Sequence, residues 1–143
     1  MIIPDASVIG KLFLSEEDSP AAEALVQHAL ANDLGLIAPA VLIYEVLSIA
    51  VRHSVPFGYV LDIFDSLKRG GLDLREPTRA ELITAEKITT TGQAKSGYPA
   101  LNDSIFHAMA IERGGVFVTA DKRHFAKTKH FGSVVLLADW RPA

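Results

Sequence analysis

Short apolar runs alternate along this chain with longer stretches in which apolar positions recur three and four residues apart. Ile2-Ile3, Leu36-Ile37-Ala38, Leu72-Asp73-Leu74, Val116-Phe117-Val118 and the segment from Ser133 to Leu137 are too short for helices. Proline, glycine or an acid closes most of them, and they read as buried strands. Between them, Val8, Ile9, Leu12 and Phe13 predict a helix over Ser7 to Leu14. Ser19-Pro20 predicts the next, with Ser19 capping free N–H groups and Pro20 in the first turn, and it runs to about Asn32. Val41 to His53 carries apolar residues on most sides, which predicts a largely buried helix with Glu45 as its only acid. Pro56 opens a helix ending at Gly70-Gly71, and Thr78 with Glu81 forms a capping-box pattern ahead of Ala85 and Ile88. After the polar stretch Thr89 to Pro99, Ile105, Phe106, Met109 and Ile111 predict a helix that Gly114 and Gly115 end by positive φ. A short helix is expected in the basic segment after Asp121, and the tail from Trp140 to Ala143 is expected to pack on an edge.

Strands alternating with helices, without an internal repeat or linker, predict an α/β fold. The expected form is a three-layer α/β/α sandwich around a short central parallel sheet, with residues 1–143 as one domain. In such sheets the carboxyl ends of the strands share one rim, and ligands bind where the strand order reverses. Asp5 and Asp121 each follow a strand, so both belong on that rim. Glu45 and Asp103 lie near the starts of helices, close enough to join them if the fold brings those ends together.

Composition narrows the class. The chain has no cysteine, which removes disulfides, thiolate metal sites and a Cys nucleophile. Its first residues lack a secretory signal pattern, and no run approaches the roughly 20 apolar residues of a membrane span, so a soluble, cytoplasmic protein without membrane association is expected. The net charge of -3 does not advertise nucleic acid binding. A cluster of metal-bound acids would count against the total while the outer surface stayed locally basic.

Carboxylates gathered in one place raise one another's pKa unless protons or cations compensate them. Mg²⁺ or Mn²⁺ provides that compensation with hard oxygen ligands and retains waters. Such a centre suits hydrolysis of phosphodiesters.

The strand ending Asp5-Ala-Ser7, Glu45 in an early apolar helix, Asn102-Asp103-Ser-Ile-Phe-His-Ala opening a later helix, and Val118-Thr119-Ala-Asp121 followed by Phe125 occur in this order. The pattern resembles a PIN domain, most closely the small VapC-type ribonuclease toxins, over essentially the whole chain. The resemblance implies a metal-dependent endoribonuclease acting on RNA, a homodimer, and a VapB-like antitoxin whose C-terminal segment crosses the active-site groove. It implies Asp5, Glu45, Asp103 and Asp121 as the acidic quartet, with Asp5 and Asp103 as direct ligands of Mg²⁺ or Mn²⁺. Glu45 would bind metal or orient water, and Asp121 would act through a second ion or water. Ser7 and Thr119 fall at small hydroxyl positions beside the acids, and Asn102 is expected in support.

Each residue also has a plainer reading. Asp5 and Asp121 can be turn or cap residues, and Glu45 can pair with Arg or Lys. Ser7 and Thr119 can bond only to local backbone, and Asn102 can merely cap its helix. Lys122, Arg123, Lys127 and Lys129 can contact RNA phosphates or form a solvated face. His107 and His124 match no zinc spacing and read as structural or substrate-edge residues. Tyr44, Phe57, Tyr59 and Phe64 read mainly as core, with a dimer or antitoxin surface as the alternative. The expected function is thus a toxin ribonuclease. A housekeeping RNA-processing nuclease and a catalytically silent interaction module are the rivals, and a small phosphatase is disfavoured because Asp5-Ala-Ser7 lacks a second acid two residues after the first.

Overall fold

The computed structural model describes residues 1–142. Five strands form one parallel sheet in the order β3-β2-β1-β4-β5: β1 (Ile2–Pro4), β2 (Leu36–Pro39), β3 (Leu72–Arg75), β4 (Val116–Thr119) and β5 (Val134–Leu136). Among the described residues seven α-helices flank it: α1 (Ala6–Ile9), α2 (Ser19–Ala31), α3 (Leu42–Arg52), α4 (Phe57–Gly70), α5 (Arg79–Thr91), α6 (Leu101–Arg113) and α7 (Lys122–Thr128). The three-layer α/β/α arrangement expected from the alternation is the one observed. Ala143, the last residue of the predicted tail, lies outside the described residues. Trp140 packs edge-on against His28 of α2, with ring centroids 5.7 Å apart.

The chain leaves central β1 in one direction to build β2 and β3, then returns to β1's other side for β4 and β5. The order reverses between β1 and β4, which pair Ile2 with Val116, Ile3 with Phe117 and Pro4 with Val118. Close approach at the start of β4 requires glycine. A Cβ on Gly115 would stand 2.9 Å from the Met1 carbonyl oxygen, while Gly114 takes φ +67° to end α6. Ile2, Ile3, Phe117 and Val118 are buried in a core that also takes Leu25 of α2, Val46 of α3, Phe64 of α4 and Phe106 of α6. Ala85 and Ile88 of α5 close on Ala108 of α6 in a second, smaller cluster.

Several local expectations need correction. The helix predicted over Ser7 to Leu14 is one α-turn followed by a 3₁₀ turn at Gly10–Leu12, where Gly10 lies against the side chain of Ile49. Ser19 does not cap α2. Its hydroxyl donates to the Leu14 carbonyl (2.6 Å) and accepts from the Glu16 N–H (2.9 Å), tying down the preceding loop. Helix α3 is not largely buried: Leu42, Val46 and Ala50 face the core, while Tyr44 and Val51 are 70% and 64% exposed. Of the four aromatics read mainly as core, only Phe64 is buried, and Tyr44, Phe57 and Tyr59 are exposed. Among the described residues no helix is long and apolar enough to cross a membrane.

Candidate active site

Asp5 leaves β1 at the reversal of strand order, and its own carboxylate caps α1 by accepting the Ala6 N–H on Oδ1 (2.8 Å). Its backbone N–H donates to the Val118 carbonyl, locking the residue to β4. Oδ2 accepts the Ser7 hydroxyl (2.8 Å) and the Thr119 hydroxyl (2.7 Å). Those hydroxyls do more than serve their own backbone: Ser7 Oγ accepts the Ala120 N–H and Thr119 Oγ1 accepts the Asp121 N–H. A short network therefore joins the ends of β1 and β4 and fixes one carboxylate that is only 5% exposed.

Glu45 and Asp103 arrive from helix N-termini. Each lies in the first turn of its helix, α3 or α6, behind a residue that provides no side-chain cap, Val41 or Ala100. The unpaired N–H groups and the helix dipole favour a carboxylate there. One oxygen from each of Asp5, Glu45 and Asp103 lies within 4.8 Å of the others. Asp121 stands outside this trio, where it caps α7 by accepting the N–H groups of Arg123 (2.9 Å) and His124 (3.2 Å) on Oδ1. Its charge still reaches Asp5 and Asp103.

The electrostatics follow from this crowding. Burial pushes the Asp5 carboxyl up, against the pull of the Thr119, Ser7 and Ala6 hydrogen bonds. Burial and then the Asp5 charge raise Glu45, and the polar side chain of Asn102 opposes them. Burial, then Asp5, Glu45 and Asp121, push Asp103 up to about 7, with Lys127 the opposing charge. Among the described residues no Lys or Arg forms an ion pair with any of the three, so the pairing alternative for Glu45 is not realised. Three mutually repelling carboxylates with no cationic side chain bonded to them form a hard-oxygen donor set that fits a divalent cation.

The trio opens into a groove of about 360 Å³. Glu45, Ser48 and Arg52 line it from one face of α3, and Asn102 lines it from α6. The sequence reading missed Ser48 and Arg52, although their spacing from Glu45 places all three on one helical stripe. The predicted basic residues divide. Lys127 acts electrostatically on Asp103, Lys122 and Arg123 are exposed on α7, and Lys129 lines a different cleft beside Gln93. A larger cleft of about 690 Å³ lies by Met1, His28 and Trp140 at the amino ends of the strands, away from all four predicted acids. His107 and His124 are both buried, and His124 Nδ1 lies 4.0 Å from Oδ2 of Asp103.

Comparison with known proteins bears on this geometry. The PIN domain family model matches residues 2–130. FitAB bound to an IR36 DNA fragment superposes with a TM-score of 0.70 at 16% identity, covering 99% of each chain. FitAcB from Neisseria gonorrhoeae gives 0.62 at 17% identity over 98% of this chain and 100% of the other. Mycobacterium tuberculosis VapC20, a sarcin-ricin loop cleaving toxin, gives 0.60 at 13% identity over 80% and 84%. No curated protein sequence matches the chain. Identities this low show a shared fold alone, but the family match spans β1, α3, α6, β4 and α7, the elements that carry all four predicted acids. This chain belongs to the PIN domain family.

Proposed function

We propose that this protein is an Mg²⁺-dependent or Mn²⁺-dependent endoribonuclease, the toxin of a toxin–antitoxin pair, acting in the cytoplasm as one nuclease domain. The observation that carries the reading is the convergence of Asp5, Glu45 and Asp103 where the strand order reverses. These three acids would hold the ion. A bound divalent ion supplies charge compensation and lowers the pKa of a water near the scissile phosphate. Ser7 and Thr119 keep Asp5 in one orientation, and Asn102 lines the groove beside Glu45. Arg52 in the groove, together with Lys127, Lys122 and Arg123, provides positive charge for RNA phosphates around an acidic centre.

The naming of VapC20 as a sarcin-ricin loop cleaving toxin supports RNA as substrate class. Exposed Tyr44, Phe57 and Tyr59 support partner surfaces, which we assign to a homodimer and a VapB-like antitoxin. Asp121 serves the site through the helix it caps and through its charge on Asp103.

Antitoxin-free protein is expected to cut structured RNA internally when Mg²⁺ is present. Chelation by EDTA and the substitution Asp5→Asn should each abolish cutting. Cleavage that persists through both would overturn the reading.

A further inference from the structure

His124, in the first turn of α7, is 3% exposed, and neither of its ring nitrogens has a hydrogen-bond partner among the described residues. Its Nδ1 stands 4.0 Å from Oδ2 of Asp103. Phe117 and His107 meet the ring edge-on, with centroids 5.5 and 5.8 Å away. The backbone is held as well: His124 N–H donates to the Asp121 carboxylate, and its carbonyl accepts the Thr128 hydroxyl (2.8 Å).

Packing alone does not explain an imidazole here, because a buried polar group left unpaired is destabilising. A neutral imidazole carries one N–H and one lone pair, so it has two possible arrangements. With Asp103 ionised, as metal ligation requires, a proton on Nε2 would leave the Nδ1 lone pair facing a carboxylate, which is repulsive. A proton on Nδ1 points an N–H at that carboxylate and leaves only a lone pair unpaired. The neighbouring His107 bonds through Nε2 to the Gly132 carbonyl (2.7 Å), so its proton is fixed away from Asp103. Shortening the 4.0 Å separation by about 1 Å brings His124 and Asp103 into hydrogen-bond range.

We propose that His124 is a positioning residue of the acidic centre, donating Nδ1–H to Oδ2 of Asp103 and fixing the carboxylate's orientation toward a bound divalent cation. The proposal rests on the metal-binding reading of the site. It also gives Asp121 a defined task, since Asp121 holds the helix turn that carries His124. An imidazole behind a ligating carboxylate acts on affinity, and loss of such an outer partner costs about 10-fold to 100-fold.

The test combines imidazole ¹⁵N NMR on the full chain at about pH 7.5 with Mn²⁺ affinity and melting temperature for three proteins: wild type, His124→Phe and His124→Asn. Wild type is expected to show the Nδ1–H tautomer, with His124 resonances that shift on addition of Mg²⁺. His124→Phe should melt close to wild type, because an apolar ring of similar size fills the same space, yet bind Mn²⁺ about tenfold more weakly. His124→Asn keeps an N–H donor near the Nδ1 position and should retain affinity within about threefold despite a lower melting temperature. A ring that only packs would give the reverse order of affinities. An Nε2–H tautomer, or wild-type Mn²⁺ affinity in His124→Phe, would overturn the proposal. If wild type itself binds no Mn²⁺, the metal reading fails on its own, and the tautomer still decides whether His124 serves Asp103.

Discussion

At Asp103 the repulsion inside the site can be weighed. Its ordinary value of 3.8 rises to about 7 through burial and the charges of Asp5, Glu45 and Asp121. Above that pH, without metal, the folded chain holds an ionised group where the neutral form is preferred, while the unfolded chain does not. Asp103→Asn removes the charge at nearly constant size. In EDTA at about pH 8 it is expected to raise the unfolding free energy by about 1–3 kcal/mol while eliminating divalent-ion binding, as urea denaturation and calorimetric titration would record. A lower unfolding free energy would count against a repulsive cluster. Residues differ in how far sequence exposes such roles. Asp5, Ser7 and Thr119 stand at strand ends, where period and turn signals place them on one rim. His124 was legible only as an uncommitted histidine, because its meeting with Asp103 depends on how α7 packs against α6.

Elements carry their own lesson in Glu81. Its half of the capping box is legible from Thr78-x-x-Glu81, and the structure contains both reciprocal bonds. Spacing does not reveal that Glu81 is 2% exposed and receives two bonds from Arg113, which lies 32 residues later at the end of α6. Burial would raise its carboxyl, but the bonds from Arg113 and Thr78 outweigh burial and hold it below the ordinary range. One side chain thus both starts α5 and clamps it to α6. Arg113→Met is expected to cost about 3 kcal/mol because it leaves a buried carboxylate without its cationic partner. Thr78→Ala should cost about 1 kcal/mol. Because the folded value is depressed, this contribution is complete above about pH 4.5 and disappears as pH falls through the folded value. The gap between Arg113→Met and wild type in thermal melts should therefore narrow in acid; a constant gap would mean that packing of the Arg113 stem, not charge, sets the cost.

For the whole molecule, alternating elements indicated a parallel sheet but not its order. Apolar strands of similar length do not encode which neighbour each one takes, and the β3-β2-β1-β4-β5 order is what brings three acids from distant sequence to one groove. The same convergence sets two opposing pH dependences in metal-free protein. Burial and the neighbouring His107 hold His124 down to about 4, and burial also lowers His107, so the unfolded chain binds more protons as pH falls below 6.5 and stability declines. Asp103 works in the other direction: the folded state keeps its proton up to about 7 while the unfolded state releases it near 3.8, so acid restores stability. Asp5 and Glu45 share the sign of Asp103. Between about pH 4.5 and 6.5 the contributions offset, and wild type in EDTA should show a shallow profile. Asp103→Asn removes one of the three raised carboxyls and leaves the histidines, so its unfolding free energy should fall with acid more steeply than wild type by about 1 kcal/mol per pH unit. Urea titrations at several pH values across that window measure the slope directly. Parallel profiles would mean that Asp103 ionises as an ordinary surface carboxylate, and the crowding that makes this groove a cation site would lose its energetic basis.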